Sequence, residues 1–182
     1  PELAEKARLL RVHGSRRRDY HELLGMNSRL DELQAAILLV KLRHLERWTR
    51  RRRELAARYN ELLRPLAEAG RVRPPEELPE VYHVYHQYTI AAAERDKLQA
   101  YLKEQGIGSM VYYSVPLYRQ ECFRGFGYRP ADYPATERAV QEVLSLPVFP
   151  ELTREEQERV AEAIVRYYRE EKKGAAFGVG LA

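Results

Sequence analysis

The stretch Gly25-Met26-Asn27-Ser28-Arg29-Leu30-Asp31-Glu32-Leu33-Gln34-Ala35-Ala36 gathers the groups best suited to holding an anion. An Asn amide and an Arg guanidinium stand where a helical pattern opens, with Leu30, Leu33, Ile37 and Val40 at alternating three- and four-residue spacing. A helix start has backbone N–H groups without intrahelical partners and carries the positive end of the helix dipole. A phosphate placed there gains on both counts. Ser28 with Asp31 fits a capping box, and Asn27 is a second candidate cap. From these residues alone an ordinary capped helix is the simpler reading, and a phosphate site the alternative.

The remaining polar candidates are few. His83 and His86 fall three apart in a pattern of period two, hence on opposite faces of a strand, which argues against one metal held by both. Tyr112 and Tyr113 face opposite ways by the same rule, so a straight strand turns only one of them to a site. Sheet packing is the simpler reading for each of these rings. His44 and Lys41 sit within a helical pattern and read as packed or surface residues. No Ser-His-Asp grouping or metal-ligand spacing stands out.

The elements that position these residues follow from periodicity and punctuation. Glu2 to Val12 reads as a short amphipathic helix stopped by Gly14, and Ser15 to Met26 as a loop carrying Arg16, Arg17 and Arg18. The apolar pattern that opens near Asn27 runs on through Leu38, Leu42, Leu45, Trp48, Leu55, Tyr59 and Leu62 until Pro65. It predicts one helix over 27–64, a rod of about 50 Å joining two bodies. Residues 65–80 read as a linker around Arg73-Pro74-Pro75-Glu76-Glu77-Leu78-Pro79. From 81 to 170 the pattern predicts a small domain. Its elements are a strand from Val81 to Ile90, a helix Glu94–Gln105 closed by Gly106, and a strand Ile107–Tyr113. An irregular stretch follows from Pro116 to Pro134, then a helix Thr136–Leu144, an edge strand Ser145–Val148, and a last helix from Thr153 to Arg169 opened by a Thr153/Glu156 capping box. Residues 171–182 read as a flexible tail. The fold class is α/β: a long connecting helix plus a small α/β sandwich with a mainly antiparallel sheet.

Composition bounds the class. With 182 residues, 45% of them apolar, the chain can bury a real core. No apolar run approaches the roughly 18 residues of a membrane span, so no membrane partner is expected. A single cysteine, Cys122, excludes an internal disulfide and points to the cytoplasm. The start at Pro1 without an initiator Met suits a fragment or a processed chain. The net charge of +4 concentrates in Arg16–Arg18 and Arg50–Arg53. Glu46, Glu54 and Glu61 interleave the second cluster as on a solvated face, so nucleic acid is not expected as a partner.

Four blocks, in order, carry a resemblance. They are His13-Gly14 with Gly25 to Ala36, Tyr82-His83-Val84-Tyr85-His86-Gln87-Tyr88, Gly106 to Leu117, and Leu144-Ser145-Leu146-Pro147-Val148-Phe149-Pro150 before the last helix. Together they resemble the C-terminal part of the DegT/StrS-type sugar aminotransferases, pyridoxal-phosphate enzymes of the aspartate-aminotransferase fold (fold type I). The resemblance implies that residues 1–26 are the end of a large-domain helix and an active-site loop. It implies a homodimer that transfers an amino group from glutamate or glutamine to a nucleotide-linked keto sugar. Asn27 would bind the cofactor phosphate of the neighbouring subunit, with Arg29 beside it, and His83 and Tyr112 would lie near the substrate. The lysine that holds the cofactor covalently lies upstream of the matched region, so no catalytic residue is assigned in this chain. Ser114 and Tyr118 replace the first Pro and the His of the family's Pro-x-Pro-Leu-His run, so that His contact does not carry over. A non-catalytic regulatory module and a lysine-less dehydratase relative are the alternatives.

Overall fold

The structure is a computed structural model that describes residues 1–177. It divides into two compact units, Pro1–Glu46 and a second unit beginning at Arg47.

In the first unit, helix α1 (Glu2–Leu10) is followed by a small antiparallel hairpin, β1 (Ser15–Arg17) and β2 (Tyr20–His21), and by helix α2 (Glu32–Leu42). The hairpin replaces the loop expected over Ser15–Met26. Ser15 Oγ donates to the Tyr20 carbonyl at 2.8 Å, and Arg16 bridges Glu5 and Glu22 at 2.8 and 3.1 Å, which gives a polar stretch its shape. Two glycines let the chain fold back on α1. A Cβ on Gly25 would lie 2.2 Å from Gly14 N, and one on Gly14, whose φ is +70°, would lie 1.9 Å from Leu23 O. Through that contact Met26 N–H reaches Leu10 O at 2.8 Å and Ser28 N–H reaches Arg11 O at 2.9 Å.

The helix expected over 27–64 is two helices. α2 starts at Glu32, not near Asn27, and its cap is Asp31, whose carboxylate accepts from Leu33 N–H at 2.9 Å and Gln34 N–H at 3.3 Å. Neither Ser28 nor Asn27 caps it. α2 ends at Leu42, where the His44 N–H turns back to Lys41 O at 2.9 Å and the i→i−4 ladder stops. α3 (Leu45–Glu68) then runs past Pro65 and is followed by Gly70, φ +66°. Pro65 removes one ladder bond, but its own carbonyl still accepts Ala69 N–H at 3.2 Å, so the last turn survives.

The second unit is built on a three-stranded antiparallel sheet in the order β3 (Val72–Arg73), β4 (Tyr88–Ala92), β5 (Val143–Leu146). Its helices are α3, α4 (Arg95–Glu104), α5 (Pro134–Glu142) and α6 (Arg154–Phe177). Leu55, Tyr59 and Leu63 of α3 join Tyr88 and Ile90 of β4, Leu98 and Leu102 of α4, Leu144 of β5 and Ile164 and Tyr168 of α6 in one core. α3 therefore belongs to the small domain rather than standing apart as a rod: its apolar stripe is a core face. Three buried side-chain donors find carbonyls on other segments. Tyr59 Oη donates to Pro147 O at 3.0 Å, Tyr168 Oη to Ala93 O at 2.6 Å, and Gln157 Nε2 to Leu55 O at 2.7 Å.

Several boundaries differ from the sequence pattern. The alternating run Val81–Ile90 is a strand only from Tyr88, and Ile107–Tyr113 pairs only at Met110, which bridges Ser145. Residues 116–134 are irregular as expected, with three short 3-10 turns. The reciprocal cap of α6 is present: Thr153 N–H to Glu156 Oε2 at 2.9 Å and Glu156 N–H to Thr153 Oγ1 at 3.2 Å. α6 continues to Phe177, past the start of the expected tail, and 178–182 lie outside the described residues.

α2 contrasts with this core. No residue of it is buried, and Leu33, Ile37 and Leu39 are 76%, 54% and 64% exposed. Leu63→Ala should therefore cost about 2–5 kcal/mol in denaturant unfolding of this chain. Ile37→Ala should cost within about 0.5 kcal/mol, as exposed positions do. Similar losses for the two would mean that α2 is packed in the isolated chain.

Candidate functional site

Asn27 and Arg29 lie together in the first unit. The backbone of Asn27 is bridged to Val12, and its Oδ1 accepts Arg29 Nε at 3.3 Å. The pair presents the Asn27 amide NH2 and the Arg29 Nη groups, a neutral and a charged donor suited to a phosphate oxygen. The site differs from the one the sequence pattern drew. Asn27 precedes the helix by a turn of extended chain, and two N–H groups of the helix start are taken by Asp31. Side-chain donors, not the helix terminus, would carry an anion here.

His83 belongs to a tethered loop rather than to a strand. Arg53 of α3 donates to Glu77 and, at 2.7 Å, to His83 O, and its guanidinium lies 4.3 Å over the Tyr82 ring. The Glu77 carboxylate also accepts His83 N–H at 3.0 Å and Tyr85 Oη–H at 3.1 Å. Three donors on one carboxylate, the Arg53 guanidinium foremost, hold Glu77 below the usual carboxylate range. Burial, with Glu77 second, pushes the Tyr85 phenol up. Tyr85 takes φ +45°, which no regular strand contains and which breaks the alternation read over 81–90. The bend lets Tyr85 N–H donate to His83 Nδ1 at 2.9 Å. With Nδ1 accepting, a neutral His83 ring carries its proton on Nε2, a donor for a ligand.

Tyr112 lines a cleft of about 490 Å³ together with Tyr113, Ser114, Gln120 and Thr136. The two tyrosine rings meet edge to face at 5.6 Å and share the cleft, where strict strand alternation would have separated them. His83 is not part of this lining. Thus Asn27 pairs with Arg29, while His83 and Tyr112 occupy separate features of the second unit. Reading the sequence missed Arg53 and Glu77, which fix the His83 loop. Arg53 was counted in a solvated cluster and Glu77 in a linker. Neither carries a local signal, because their meeting spans 24 residues. Among the described residues no group of three or more His, Cys, Asp or Glu could hold a metal ion, and no helix is long and apolar enough to cross a membrane.

Comparison with known proteins makes the assignment. Residues 1–165 match the DegT/DnrJ/EryC1/StrS aminotransferase family, and the chain belongs to it. It is 55% identical over 168 residues to a pleiotropic regulatory protein of Geobacillus stearothermophilus, covering 92% of this chain and 45% of that protein. It is 40% identical to the dTDP-3-amino-3,4,6-trideoxy-alpha-D-glucose transaminase of Streptomyces venezuelae, covering 90% and 42%. Among solved structures, DesV of S. venezuelae in complex with a ketimine intermediate superposes with a TM-score of 0.83 at 38% identity, covering 92% and 44%. NtdA of Bacillus subtilis, solved with bound cofactor PMP, gives 0.80 at 31%, covering 91% and 39%. The chain spans less than half the length of these relatives. Against such a cofactor, the exposed Asn27–Arg29 donor pair fits the phosphate end, with the nearby Asp31 carboxylate already occupied by N–H groups.

The Glu77 network has a pH signature. Its folded-state carboxyl titrates below its unfolded value, so its stabilisation is present above the ordinary range near pH 4.3 and is lost as pH falls through the depressed value. Glu77→Gln should lower stability at neutral pH and flatten the loss seen below about pH 4.3 in urea unfolding. An unchanged acid limb would assign that loss to other carboxylates.

Proposed function

We propose that this chain is the C-terminal portion of a pyridoxal-phosphate-dependent aminotransferase, a cytoplasmic homodimer. It moves an amino group from glutamate or glutamine to a nucleotide-linked keto sugar, with the covalent lysine supplied by a segment outside this chain. The observation that carries the reading is the family match over residues 1–165. It is supported by the Asn27–Arg29 donor pair within the matched stretch. When bound, the cofactor supplies an electron sink for proton removal and delivery at the amino-bearing carbon. Asn27 Nδ2 and the Arg29 guanidinium hold the phosphate and so orient the group. His83, with Nε2–H as donor, and the Tyr112 hydroxyl orient the sugar substrate. The unburied apolar surface of α2 supports the homodimer, since so continuous an apolar helix is ordinarily covered.

A second reading, a regulatory module, is favoured by the name of the Geobacillus relative. Cofactor binding separates the two. In the full-length protein Asn27→Ala should weaken pyridoxal phosphate about 10- to 150-fold, the loss of one hydrogen bond to a charged acceptor of about 1.5–3 kcal/mol. Because Asp31 is the cap, apo stability should hold in Asn27→Ala and fall by about 1 kcal/mol in Asp31→Ala. Unchanged cofactor affinity in Asn27→Ala, or a full-length protein that binds no cofactor, would favour the regulatory module. Mixed dimers pairing Asn27→Ala with a subunit lacking the covalent lysine should recover activity, as a site shared between subunits requires. Uniform inactivity would sink the shared site.

A further inference from the structure

Asn27 is held in place by main chain. The first unit buries little apolar side chain beyond Leu9, so backbone hydrogen bonds must set where Asn27 stands. Residues 26–28 lie along the end of α1. Met26 N–H donates to Leu10 O at 2.8 Å, His13 N–H to Met26 O at 3.0 Å, and Ser28 N–H to Arg11 O at 2.9 Å. Carbonyls at a helix end have no partner within the helix, so this segment also caps α1. Asn27 pairs with Val12 inside that short ladder. Arg29 Nε then donates to Asn27 Oδ1 at 3.3 Å, which leaves the amide NH2 as the group on offer.

The segment comes this close because Gly25 has no side chain. A Cβ there would lie 2.2 Å from Gly14 N, 2.6 Å from His13 C and 2.6 Å from Leu10 O. All three are main-chain atoms, so none can rotate aside as a side chain would. Two of them are already committed, Gly14 N–H to Leu9 O at 2.9 Å and Leu10 O to Met26 N–H. Gly14, at φ +70° and with its own Cβ position 1.9 Å from Leu23 O, closes the contact from the other side. Non-bonded heavy atoms settle at about 3.5 Å, so a methyl group at Gly25 pushes the segment off α1 by roughly 1 Å.

We propose that Gly25 is a positioning residue for the cofactor: its lack of a side chain seats Asn27, and with it the Arg29 guanidinium, at the phosphate. The role rests on the function proposed above. Gly25 acts through Asn27 rather than on the ligand. A displacement of about 1 Å suffices, because a donor and acceptor drawn apart to about 3.6 Å no longer form a hydrogen bond.

The test is a double-mutant cycle in the full-length protein, read as pyridoxal phosphate affinity from the cofactor's absorbance. Gly25→Ala should weaken the cofactor about 10- to 150-fold, the range for losing the Asn27 contact itself. Asn27→Ala added to Gly25→Ala should then change affinity by no more than about 2-fold, since that contact is already gone. Hydrogen exchange separates this from a general loss of stability. The Met26 and Ser28 amides should lose protection in Gly25→Ala, while those of the β4–β5 ladder keep theirs. Should Gly25→Ala not fold, Ser28→Pro runs the same cycle, because it deletes the bond to Arg11 O without a new atom at Gly25. It should weaken the cofactor several-fold, with Asn27→Ala again adding nothing. Wild-type affinity in Gly25→Ala, or in Ser28→Pro where it stands in, overturns the proposal and leaves the aminotransferase reading intact. Effects that multiply with that of Asn27→Ala overturn it in the same way. Unchanged affinity in Asn27→Ala alone overturns the cofactor reading, and this role with it.

Discussion

The second unit depends on Tyr88. Its ring stacks on Tyr59 at 4.9 Å, its hydroxyl donates to Asn60 Oδ1 at 2.6 Å, and its backbone pairs with Leu146. One residue thus ties α3 to the central strand and the central strand to β5. Alternate burial along β4 follows, with Tyr88, Ile90 and Ala92 inward, and α4 and α6 close over that face. Burial of Tyr59 and Tyr88 holds both phenols protonated far above the ordinary range, so the hydroxyls are donors at any physiological pH. A hydroxyl buried without an acceptor would be costly, and each has one.

The second unit's features linked to function hang from this core. The loop carrying His83 runs straight into β4 and is held from the α3 side by Arg53. The cleft at Tyr112 is bounded by β5, α5 and the chain bridged to Ser145. Long-range polar contacts do the positioning: Arg95 on two carbonyls, Arg53 and Glu77 on one loop, Glu137 on one turn. None of them needs to touch a ligand to matter. Each limits how far a contacting side chain can stray, and geometry is what catalysis and recognition are most sensitive to.

The first unit follows another logic. It is held by a glycine-to-glycine contact and backbone bonds, with Leu9 as its buried apolar side chain, while α2 keeps its apolar surface open. A helix so apolar gains little stability from this chain alone.

Much was legible in the residues because it is local. The helix opened by Thr153 and Glu156, the stop at Gly106, the irregular stretch before Pro134 and the family blocks depend on neighbours a few positions apart. So does the adjacency of Asn27 and Arg29. Tertiary structure alone decided the rest, for reasons of distance and competition. Ser28 and Asn27 were the two candidates for the cap, with Asp31 as the partner of Ser28 in a capping box, yet the helix starts later and Asp31 itself is the cap. Period two over 81–90 fits a strand, but Glu77 and Arg53 bind that backbone more favourably as a bent loop. The apolar stripe through Leu42 and Leu45 is continuous in sequence, yet a single i→i−3 bond at His44 divides it. The neutral cleft at Tyr112 is assembled from segments that meet only when β5 brings Met110 and α5 together, since the hydrogen bonds that do so join residues far apart in the chain.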